Sequence, residues 1–571
     1  MKLASIYTEK NNCQDCYKCV RECPVKAIKI EDNSASIIPE LCIFCGHCTV
    51  ICPVGAKKIR DDVDIVKMFL KEGAEVIVSL APSYISEFPN VSESQLIGAI
   101  KKLGFRKVSE TALGAEVVSS KIKTYLSENN VSIAISGCCP SVVELINKYY
   151  PQYVKNLLPF LSPMLSHGKM LKEASGKEVK VVFVGPCVAK KLEKESHPEY
   201  IDAVITFQKL KEWFASEGID IAKQHPDKEN KFFPTTAHSG CLYPIDGGMI
   251  SGIKQNVDIT DAAFMSFSGT KNVMDALSGL GDWKNEGTLF LELLACEEGC
   301  INGPGSTSAL SNINKRYLTI AKKQKNSVVK PPFEYDKQIS YVYKQSVVEK
   351  QSQYSEDDII STLNSIGKLS VKDELNCGGC GYESCRNFAV ALLDGIAERS
   401  MCVSYMRNVA NNKANILLRK MPYGVVILDE NLKVIESNKN FANLLGDEIE
   451  DVYECNPGLK GADLRKLVPF HNYFTTILNS GMEALEKDIR KGDSLLHLSV
   501  FTIQPHKIVC GILQNLKNPE IQKDEVISRT RKVIKDNLYT VQKIAFLLGE
   551  NASNTEAILN SIVEIHNNGG E

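Results

Sequence analysis

Five cysteines between residues 138 and 300 are the side chains of this sequence best suited to metal chemistry. They lie in Ser-Gly-Cys-Cys-Pro, in Gly-Pro-Cys-Val-Ala-Lys-Lys-Leu-Glu and in Ala-Cys-Glu-Glu-Gly-Cys, and are Cys138, Cys139, Cys187, Cys296 and Cys300. Thiolates are soft ligands that suit iron–sulfur clusters. Eight further cysteines precede them in two tight runs. Together they predict that electrons enter through small clusters and reach one unusual metal centre.

The N-terminal residues contain two copies of the spacing C-x-x-C-x-x-C-x-x-x-C-P. The copies supply Cys13, Cys16, Cys19 and Cys23, and then Cys42, Cys45, Cys48 and Cys52. In such runs three thiolates hold one side of a 4Fe–4S cube, and the fourth ligand comes from the other run. The segment resembles a bacterial two-cluster ferredoxin, with Cys13, Cys16, Cys19 and Cys52 on one cube and Cys42, Cys45, Cys48 and Cys23 on the other. A pair of zinc sites is the alternative.

A third group of cysteines lies between residues 377 and 402. It contains Cys377, Cys380, Cys385 and Cys402. Glycines at 378, 379 and 381 allow the backbone to wrap closely around a metal. The group resembles a 4Fe–4S domain of anaerobic electron-transfer and corrinoid proteins, and zinc is again the alternative.

Size and composition limit the classes of protein that fit. The chain has 571 residues, which predicts several domains, and a net charge of −2, which gives no reason to expect nucleic acid or membrane as a partner. No apolar run reaches the ~20 residues that cross a bilayer, and no secretory signal is recognisable. The 20 cysteines sit mostly in short groups, so metal ligation is favoured over disulfides. We expect a cytoplasmic protein from a reducing, anaerobic cell.

Buried strands are predicted just before several of the loops that carry chemistry. Val76–Leu80, Val131–Ile135 and Val179–Val184 are apolar, and each ends at a loop with proline or cysteine. Helix-like segments alternate with them, which is typical of parallel sheets with ligands at the strand ends. Residues 320–365 are polar and rich in Lys, Gln and Ser, which indicates a connecting segment.

Residues 1 to about 315 resemble an FeFe-hydrogenase, in which a ferredoxin domain precedes a catalytic domain with three signature loops. The family's loops read Thr-Ser-Cys-Cys-Pro-x-Trp, Met-Pro-Cys-x-x-Lys-x-x-Glu and Glu-x-Met-Ala-Cys-x-x-Gly-Cys-x-x-Gly-Gly-Gly-x-Pro. The corresponding segments here begin at Ser136, Gly185 and Glu292. The family holds an H-cluster, which is a 4Fe–4S cube bridged by one cysteine sulfur to a diiron unit carrying CO, cyanide and an azadithiolate.

The resemblance implies the ligands of that cluster. They would be Cys139, Cys187, Cys296 and Cys300, with Cys300 as the bridge. Pro82 and Ser83, which follow a predicted strand, would contact the ligands of the diiron unit.

Three further residues are implied to act beside the cluster. Lys190 would offer its ammonium group to a cyanide nitrogen, and Glu193 would pair with Lys190 and orient it. The alternative for both is a solvated surface ion pair. Cys138 would relay protons, since a thiol with a pKa of ~8.5 can pass a proton at modest driving force. Its alternative is an inert buried thiol.

The loops also depart from the family pattern. Val142 replaces Trp, Leu294 replaces Met, and Gly303-Pro304-Gly305 replaces the triple glycine. The family's relay continues through carboxylates and a serine, whose positions fall near Ser119-Ser120-Lys121 and Leu158. These departures predict a broken or rerouted proton path and slow turnover, and they resemble the sensory branches of the family. The presence of Cys138 argues the other way.

The C-terminal third resembles a signalling module. Residues 421–446 resemble the opening of a PAS domain, with two strands and a short helix that ends in Gly446, and the late strands are predicted at 496–503 and 507–513. His471 is expected to be an ordinary surface or core histidine, with haem ligation as the alternative. Residues 524–548 have a narrow apolar seam that predicts a helix for dimerisation or docking. Cys241, Cys455 and Cys510 are expected to be small buried hydrophobic residues.

The sequence therefore predicts a multidomain α/β and α+β protein. Its parts would be a two-cluster ferredoxin domain (1–60), an α/β H-cluster domain (61–325), a linker (326–369), a small helical 4Fe–4S domain (370–418), a PAS domain (419–517) and C-terminal helices (518–571).

Three functions fit these parts. The first is a hydrogenase that interconverts H₂ with protons and electrons and exchanges electrons with a ferredoxin-type carrier. The second is a slow hydrogenase that senses H₂ or redox state and signals to a kinase or phosphatase, as a homodimer formed through the C-terminal helix. The third is a hydrogenase-like iron–sulfur protein without diiron chemistry. We expect a protein that contains a true H-cluster and uses it in the second way, as a slow sensor.

Overall fold

The computed structural model describes residues 4–31, 34–176, 178–254, 262–283, 287–326, 335, 337–343, 354–491, 494–515 and 534. The chain divides into two compact units, Met1–Glu398 and Arg399–Glu571. The division falls inside the predicted 370–418 domain. Among the described residues, no helix is long and apolar enough to cross a membrane. The predicted seam at 524–548, and with it the proposed dimer contact, lies outside the described residues.

The N-terminal cysteine-rich part of the first unit is built from short paired strands and single-turn helices. The strands are β1 (Ile6–Thr8), β2 (Ile28–Glu31), β3 (Ser34–Ile37) and β4 (Lys57–Ile59), and the helices are α1 (Lys18–Arg21) and α2 (His47–Val50). Strand β1 pairs with β4 and β2 with β3, both antiparallel. The two cysteine runs lie between these strands, so the strands set the spacing between the runs.

Two parallel sheets form the centre of the first unit, as the alternating pattern predicted. Their strands are β5 (Val76–Leu80), β6 (Lys107–Glu110), β7 (Ile133–Ile135), β8 (Lys180–Gly185), β9 (Ala203–Thr206), β10 (Ala262–Ser268) and β11 (Thr288–Leu294). One sheet has the order β6-β5-β8-β9 and the other β10-β11-β7. All neighbouring strands within each sheet are parallel.

Helices cover these sheets, which explains why the inner strands are mainly apolar and almost wholly buried. The helices are α3 (Val63–Lys71), α4 (Tyr84–Glu87), α5 (Glu93–Lys102), α6 (Ala112–Glu128), α7 (Pro140–Tyr149), α8 (Pro163–Ser175), α9 (Ala189–Ser196), α10 (Phe207–Ser216), α11 (Gly248–Ile253), α12 (Thr270–Gly279) and α13 (Asn312–Asn326). All five residues of β5 are buried. The core of this part therefore holds the strand ends in fixed positions.

A buried ion pair links α9 to the segment that follows the cysteine runs. Lys191 donates to Asp62 at 2.7 Å and to the Val204 carbonyl at 2.5 Å, and its side chain is 1% exposed. Asp62 also accepts from Arg60 at 2.8 Å. Because an unpaired charge at such a depth is costly, the pair fixes α9 against both β9 and the N-terminal part.

The predicted connecting segment is more structured than expected. Its start belongs to α13, and its end forms α14 (Glu356–Ser365), which begins in a capping box at Ser355. Between them, Ile339 is buried and Tyr343 contacts the loop before Cys138. Polar composition hid these contacts, because only a few apolar residues in the segment make them. The last helix of the unit is α15 (Cys385–Leu393).

The second unit contains a five-stranded antiparallel sheet with helices. The helices are α16 (Val403–Lys420), α17 (Lys439–Leu445), α18 (Asp447–Cys455), α19 (Leu464–Leu467) and α20 (Asn472–Ser480), and the strands are β12 (Gly424–Leu428), β13 (Val434–Ser437), β14 (Ala484–Lys491), β15 (Ser494–Gln504) and β16 (Ile508–Asn515). The sheet order is β13-β12-β16-β15-β14. The two late strands are found where the sequence predicted them, each slightly longer.

One buried carboxyl group in the first unit makes stability depend on pH. Glu110, at the end of β6, accepts hydrogen bonds from the Ala237 N–H at 2.7 Å and the Tyr84 hydroxyl at 3.3 Å. Burial raises the pKa of Glu110 to about 7. The folded chain therefore holds this proton more tightly than the unfolded chain, and it loses stability as the pH rises from about 4.5 through 7.

We expect Glu110→Gln to raise the thermal midpoint of the cluster-free protein at pH 8 and to leave it nearly unchanged at pH 5. The shift at pH 8 should correspond to roughly 3 kcal/mol, since one pKa unit is worth about 1.4 kcal/mol. Glu128→Gln, an exposed change of the same type, serves as the control. Equal pH dependence in the variant and the unchanged chain would refute this account of Glu110.

Candidate metal centre

Four loops of the candidate site follow directly from parallel strands. Residues 81–83 follow β5, residues 136–139 follow β7, residues 186–187 follow β8, and residues 295–300 follow β11. The carboxyl ends of parallel strands share one edge of a sheet, which is where ligands bind in such folds. The strands therefore deliver the predicted ligands to one place, although the two sheets are separate.

The four thiols predicted to hold the central cube lie near one another. Burial raises the pKa of Cys300, and the neighbouring thiols of Cys139 and Cys187 raise it further. Burial likewise raises the pKa of Cys296 well above its ordinary value, as do Cys300, Cys187 and Cys139. Thiols this close and this buried stay protonated unless a metal compensates their charge, so metal binding must release protons.

Local structure orients these sulfur atoms. Cys139 is the N-cap of α7, which has Pro140 at its first position, the place where a helix tolerates proline. Cys187 lies just before α9 and accepts from the N–H groups of Ala189 and Lys190, while burial raises its pKa to about 11. Helix N-termini favour negative charge, which suits a thiolate ligand. A set of four soft donors at one buried place fits an iron–sulfur cube.

Lys190 and Glu193 are paired inside the protein and are not a solvated surface pair. The Lys190 ammonium donates to Glu193 at 2.6 Å, to the Ser162 hydroxyl at 3.1 Å and to the Cys138 carbonyl at 3.4 Å. Burial alone would lower the pKa of Lys190, but Glu193 and Cys187 raise it above the ordinary value. The lysine therefore stays charged, and Ser162, the N-cap of α8, fixes its position.

A mainly apolar cavity adjoins two of the four thiols, Cys187 and Cys300. Its lining includes residues that the sequence singled out, namely Pro82, Ser83, Cys138, Cys187, Lys190 and Cys300. Burial raises the pKa of the Cys138 thiol to about 12. Glu292 and Tyr243 also line the cavity, and sequence reasoning gave neither of them a role. Glu292 was visible as the first residue of the third loop, whereas only the fold brings Tyr243 to the cavity.

The changed glycine motif of the third loop has a steric explanation. A Cβ atom at Gly303 would lie 2.8 Å from Pro186 Cβ, and one at Gly305 would lie 2.7 Å from Thr206 Cβ, so both glycines are needed. Pro304 packs instead on Gly46 of the second cysteine run, where a Cβ would lie 2.5 Å from Pro304 Cγ. Position 304 accepts proline because the residue that it packs on, Gly46, has no side chain.

Other departures from the family motif are matched by changes nearby. A Cβ atom at Gly137 would lie 2.0 Å from the Tyr343 hydroxyl oxygen, and that hydroxyl donates to the Phe160 carbonyl at 3.1 Å. Val142 is fully buried in a core that includes Ile43. Leu294 lines the central cavity. The site is thus repacked with apolar groups and is not left open.

Hydroxyl groups occupy part of the region where the family pattern has its proton route. Ser119 is buried and shares a hydrogen bond of 2.8 Å with the Tyr243 hydroxyl. Leu158, near the expected serine, is buried in the core. Glu116, one turn before Ser119, accepts from the Gly240 N–H at 3.2 Å.

The fourth cysteine of each N-terminal run lies near thiols of the other run. Burial raises the pKa of Cys19 to about 11, and the nearby thiols Cys13, Cys16 and Cys52 add to the effect. Cys48 is affected in the same way by Cys45, Cys42 and Cys23. Burial raises the pKa of Cys45 to about 12, with Cys139 among its neighbours. The second group therefore lies beside the central site.

The remaining cysteines and His471 differ in their surroundings. Cys241 and Cys510 are buried, as predicted, but Cys455 is exposed at the end of α18, so that part of the prediction is wrong. Cys455 follows an acidic, solvent-facing helix turn, which explains its exposure. His471 is half-buried, and its ring nitrogen Nδ1 contacts the Val468 carbonyl at 3.3 Å.

No group of three or more His, Cys, Asp or Glu side chains in the described part of the chain is placed to hold a single metal ion. A four-iron cube spans more space than one ion, and its thiolates stand correspondingly further apart.

Comparison with known families agrees with the cysteine patterns. The family model for the iron only hydrogenase large subunit, C-terminal domain, matches residues 74–304. A model for a 4Fe-4S dicluster domain matches residues 5–64, and one for an Fe-S cluster matches residues 373–404.

The individual proteins that resemble this chain share low sequence identity with it. Iron hydrogenase 1 of Clostridium pasteurianum is 26% identical over 285 residues, which are 40% of this chain and 50% of that protein, so the chain spans about half the length of this curated relative. A solved FeFe-hydrogenase from Chlamydomonas reinhardtii is 16% identical with a TM-score of 0.37, over 50% of this chain and 99% of that one. The photoactive yellow protein domain of a sensor histidine kinase from Rhodospirillum centenum is 13% identical with a TM-score of 0.15. The match covers 19% of this chain and 96% of that one.

The contact between Gly46 and Pro304 predicts a specific weak point. We expect Gly46→Ala to destabilise the protein by more than Gly55→Ala, measured as the thermal midpoint. Both glycines have left-handed backbone, with φ of 77° and 62°, so both variants carry about 1–2 kcal/mol of conformational cost. Only the new Cβ of Gly46→Ala would collide with a ring, that of Pro304. The nearest atom to a Cβ at Gly55 is Lys58 Nζ at 4.0 Å.

A second change checks the cause. Adding Pro304→Gly to Gly46→Ala should recover most of the difference between the two alanine variants. Equal losses for the two alanine variants, or no recovery in the double variant, would contradict a steric contact at Pro304.

Proposed function

We propose that this FeFe-hydrogenase-like protein interconverts H₂ with protons and electrons at an H-cluster. The observation that carries the proposal is the convergence of four thiols from loops after three parallel strands, where two of the thiols line a cavity together with Lys190. The predicted ligands are Cys139, Cys187, Cys296 and Cys300, with Cys300 as the bridging sulfur.

When bound, the H-cluster supplies the iron centre at which the H–H bond forms or breaks. The protein binds, orients and shields that centre. Lys190 offers a fixed positive charge, suited to a cyanide nitrogen, in a cavity where few other polar groups compete. Glu193 holds Lys190 in place and balances its charge. Pro82 and Ser83 line the same cavity and would contact the remaining diatomic ligands.

Electrons would enter through the two N-terminal 4Fe–4S clusters. The group of Cys42, Cys45, Cys48 and Cys23 lies beside the central site, so it would exchange electrons with the H-cluster directly. The group of Cys13, Cys16, Cys19 and Cys52 would receive electrons from a ferredoxin-type carrier. A third cluster is proposed for Cys377, Cys380, Cys385 and Cys402.

Protons would pass through Cys138, whose thiol lines the cavity. Beyond it the carboxylate positions of the family pattern near Ser119 are replaced, and a route in that direction would pass through the hydroxyls of Tyr243 and Ser119. Glu292 also lines the cavity, and burial raises its pKa to about 7, but its two oxygens accept from the N–H groups of Met249 and Ile250. Because the route toward Ser119 depends on neutral hydroxyls, which transfer protons less readily than carboxylates with pKa values near the working pH, we infer a low turnover at an intact cluster.

Low turnover favours a second candidate use of the same site, as a sensor of H₂ or redox state. The strand, turn, strand and helix before Gly446, followed by three long strands, support a PAS-like domain that would carry the signal. A kinase or phosphatase would receive it, and the C-terminal helix would form a homodimer. The third candidate, an iron–sulfur protein without diiron chemistry, is disfavoured by the buried Lys190–Glu193 pair.

Maturation of the purified protein tests these readings. We expect infrared bands from CO and cyanide after the diiron unit is installed, together with H₂ evolution and oxidation well below the ~1–10³ s⁻¹ of typical enzymes. Absence of the bands would refute the H-cluster. Turnover at or above that range would refute the sensory use and favour a metabolic hydrogenase.

The role of Cys138 can be tested separately. We expect Cys138→Ala to lower turnover by about 10² or more, the contribution usual for a positioned acid or base, while the CO and cyanide bands remain. Cys241→Ala removes a buried thiol that does not line the cavity and is the matched control. Turnover in Cys138→Ala that equals turnover in Cys241→Ala would exclude the relay.

A further inference from the structure

The third cysteine group lies against the first N-terminal run. Gly381, between Cys380 and Cys385, has a φ of 91°, and a Cβ atom there would lie 2.9 Å from Arg21 Cα and 3.1 Å from Arg21 N. Such a close approach of two backbones requires glycine. The contact brings the third group to the segment between Cys19 and Cys23.

The loop of the third group is closed by its own hydrogen bonds. Asn376, with a φ of 46°, accepts from the Cys385 N–H at 2.7 Å, which ties the residue before Cys377 to the start of α15. Tyr382 is buried and packs on Phe388 with ring centroids 5.7 Å apart. Burial raises the pKa of Tyr382, and Cys380 and Cys23 both add to the rise. A single buried side chain thus lies near one cysteine of each group.

Lys26 is a second side chain between the two groups. It is half-buried, and its ammonium donates to the Arg21 carbonyl at 2.8 Å and the Val20 carbonyl at 3.5 Å. The groups around it that carry negative charge when ionised are Cys23, Glu22, Glu383 and Cys380. Burial lowers its pKa, and these four groups oppose that change.

Lys26 has a left-handed backbone conformation, and the matching residue of the second run shows which residue type that conformation favours. The two runs end in Cys23-Pro-Val-Lys26-Ala and Cys52-Pro-Val-Gly55-Ala, and the fourth residue of each turn is left-handed, with φ of 52° and 62°. In both turns the N–H of the fifth residue donates to the cysteine sulfur, at 3.3 and 3.2 Å. The second run uses glycine there, as the conformation favours. The first run has Lys26 at this position despite the strain of a left-handed backbone. Lys26 lies near Cys380 and Glu383 of the third group.

We propose that Lys26 is a shared cation that couples the cluster of Cys23 to the third cluster, so that electrons branch between them at this point. This inference rests on the proposed function for the assignment of both clusters. One electron leaves the reduced cluster of Cys23, which is thereby oxidised, and reduces the oxidised third cluster. The electron comes originally from H₂ at the central site or from a chemical reductant such as dithionite.

The physical reason is electrostatic. A reduced cluster carries one more negative charge, and a nearby ammonium in a low-dielectric setting stabilises that charge. Lys26 faces both groups, so it should favour the reduced form of both clusters. Lys57 provides a comparison, since it is buried and lies near Cys19, Cys42 and Cys48 of the two N-terminal groups.

The test is a potentiometric titration of the full chain, loaded with iron–sulfur clusters but not with the diiron unit, followed by electron paramagnetic resonance. Cys380→Ser identifies the third-cluster signal by its loss. We expect Lys26→Met to decrease the ratio of reduced to oxidised form about tenfold for both the Cys23 cluster and the third cluster, or about 59 mV for a one-electron couple. Lys26→Arg should retain both potentials.

Three controls separate charge from conformation. Lys26→Gly also removes the charge but relieves the backbone strain, so it should match Lys26→Met. Lys29→Met, an equal charge change at a surface lysine paired with Glu31, should move neither potential. Lys57→Met should lower the potentials of the two N-terminal clusters, whose cysteines lie near Lys57.

The proposal is overturned if Lys26→Met moves only one of the two potentials or neither, if Lys26→Gly behaves differently from Lys26→Met, or if Cys380→Ser removes no signal. These outcomes are distinct from failure of the proposed function, because that failure is read from the CO and cyanide bands of matured protein. The titration does not use the diiron unit.

Discussion

Buried thiols that lie close together can ionise only when a metal compensates their charge, and this constraint governs the first unit. Burial raises the pKa of thiols in both N-terminal groups and at the central site, to about 11 for Cys42 and for Cys187. The fold therefore places groups together whose charged forms it does not itself stabilise. The loops carrying them need rigid supports, which are short antiparallel strand pairs for the N-terminal groups and the ends of parallel strands for the central site.

Rigidity is reached by different means on the two sides of the central site. On one side, strand ends and the N-termini of α7 and α9 orient Cys139 and Cys187. On the other, the third loop leans on the second cysteine run through Pro304 and Gly46. The second run also lies close to Cys139, and hydrogen bonds from Lys148 to the Cys42 carbonyl and from Tyr149 to the Leu41 carbonyl, both at 2.7 Å, hold it against α7. The approach of the second cysteine run to the central thiols thus depends on several contacts, of which Pro304 on Gly46 is one.

The sequence predicted those features that depend on local spacing. The spacing of the cysteine runs predicted which thiols lie near one another, because a cube needs closely spaced thiolates. The apolar strands predicted parallel sheets, because both faces of such sheets are covered. It did not predict contacts made by distant, weakly patterned residues. Tyr343 reaches Gly137 from a polar segment, and Tyr243 reaches the cavity from a motif without an evident role. The exposure of Cys455 was missed because cysteine content alone does not distinguish a helix end from a core.

The departures from the hydrogenase pattern are not evenly distributed. Every cysteine expected for the electron path and the cube is retained, and the altered positions around them are repacked, as at Gly137 and Val142. On the proton side, the region near Ser119 contains hydroxyls where the pattern has carboxylates. Under the proposed function, a site that kept its electron connections and lost its fast proton route would respond to reduction more readily than it turned over. A reporter of H₂ or redox state would require that asymmetry, which is the physical reason for proposing a sensory use ahead of rapid metabolism.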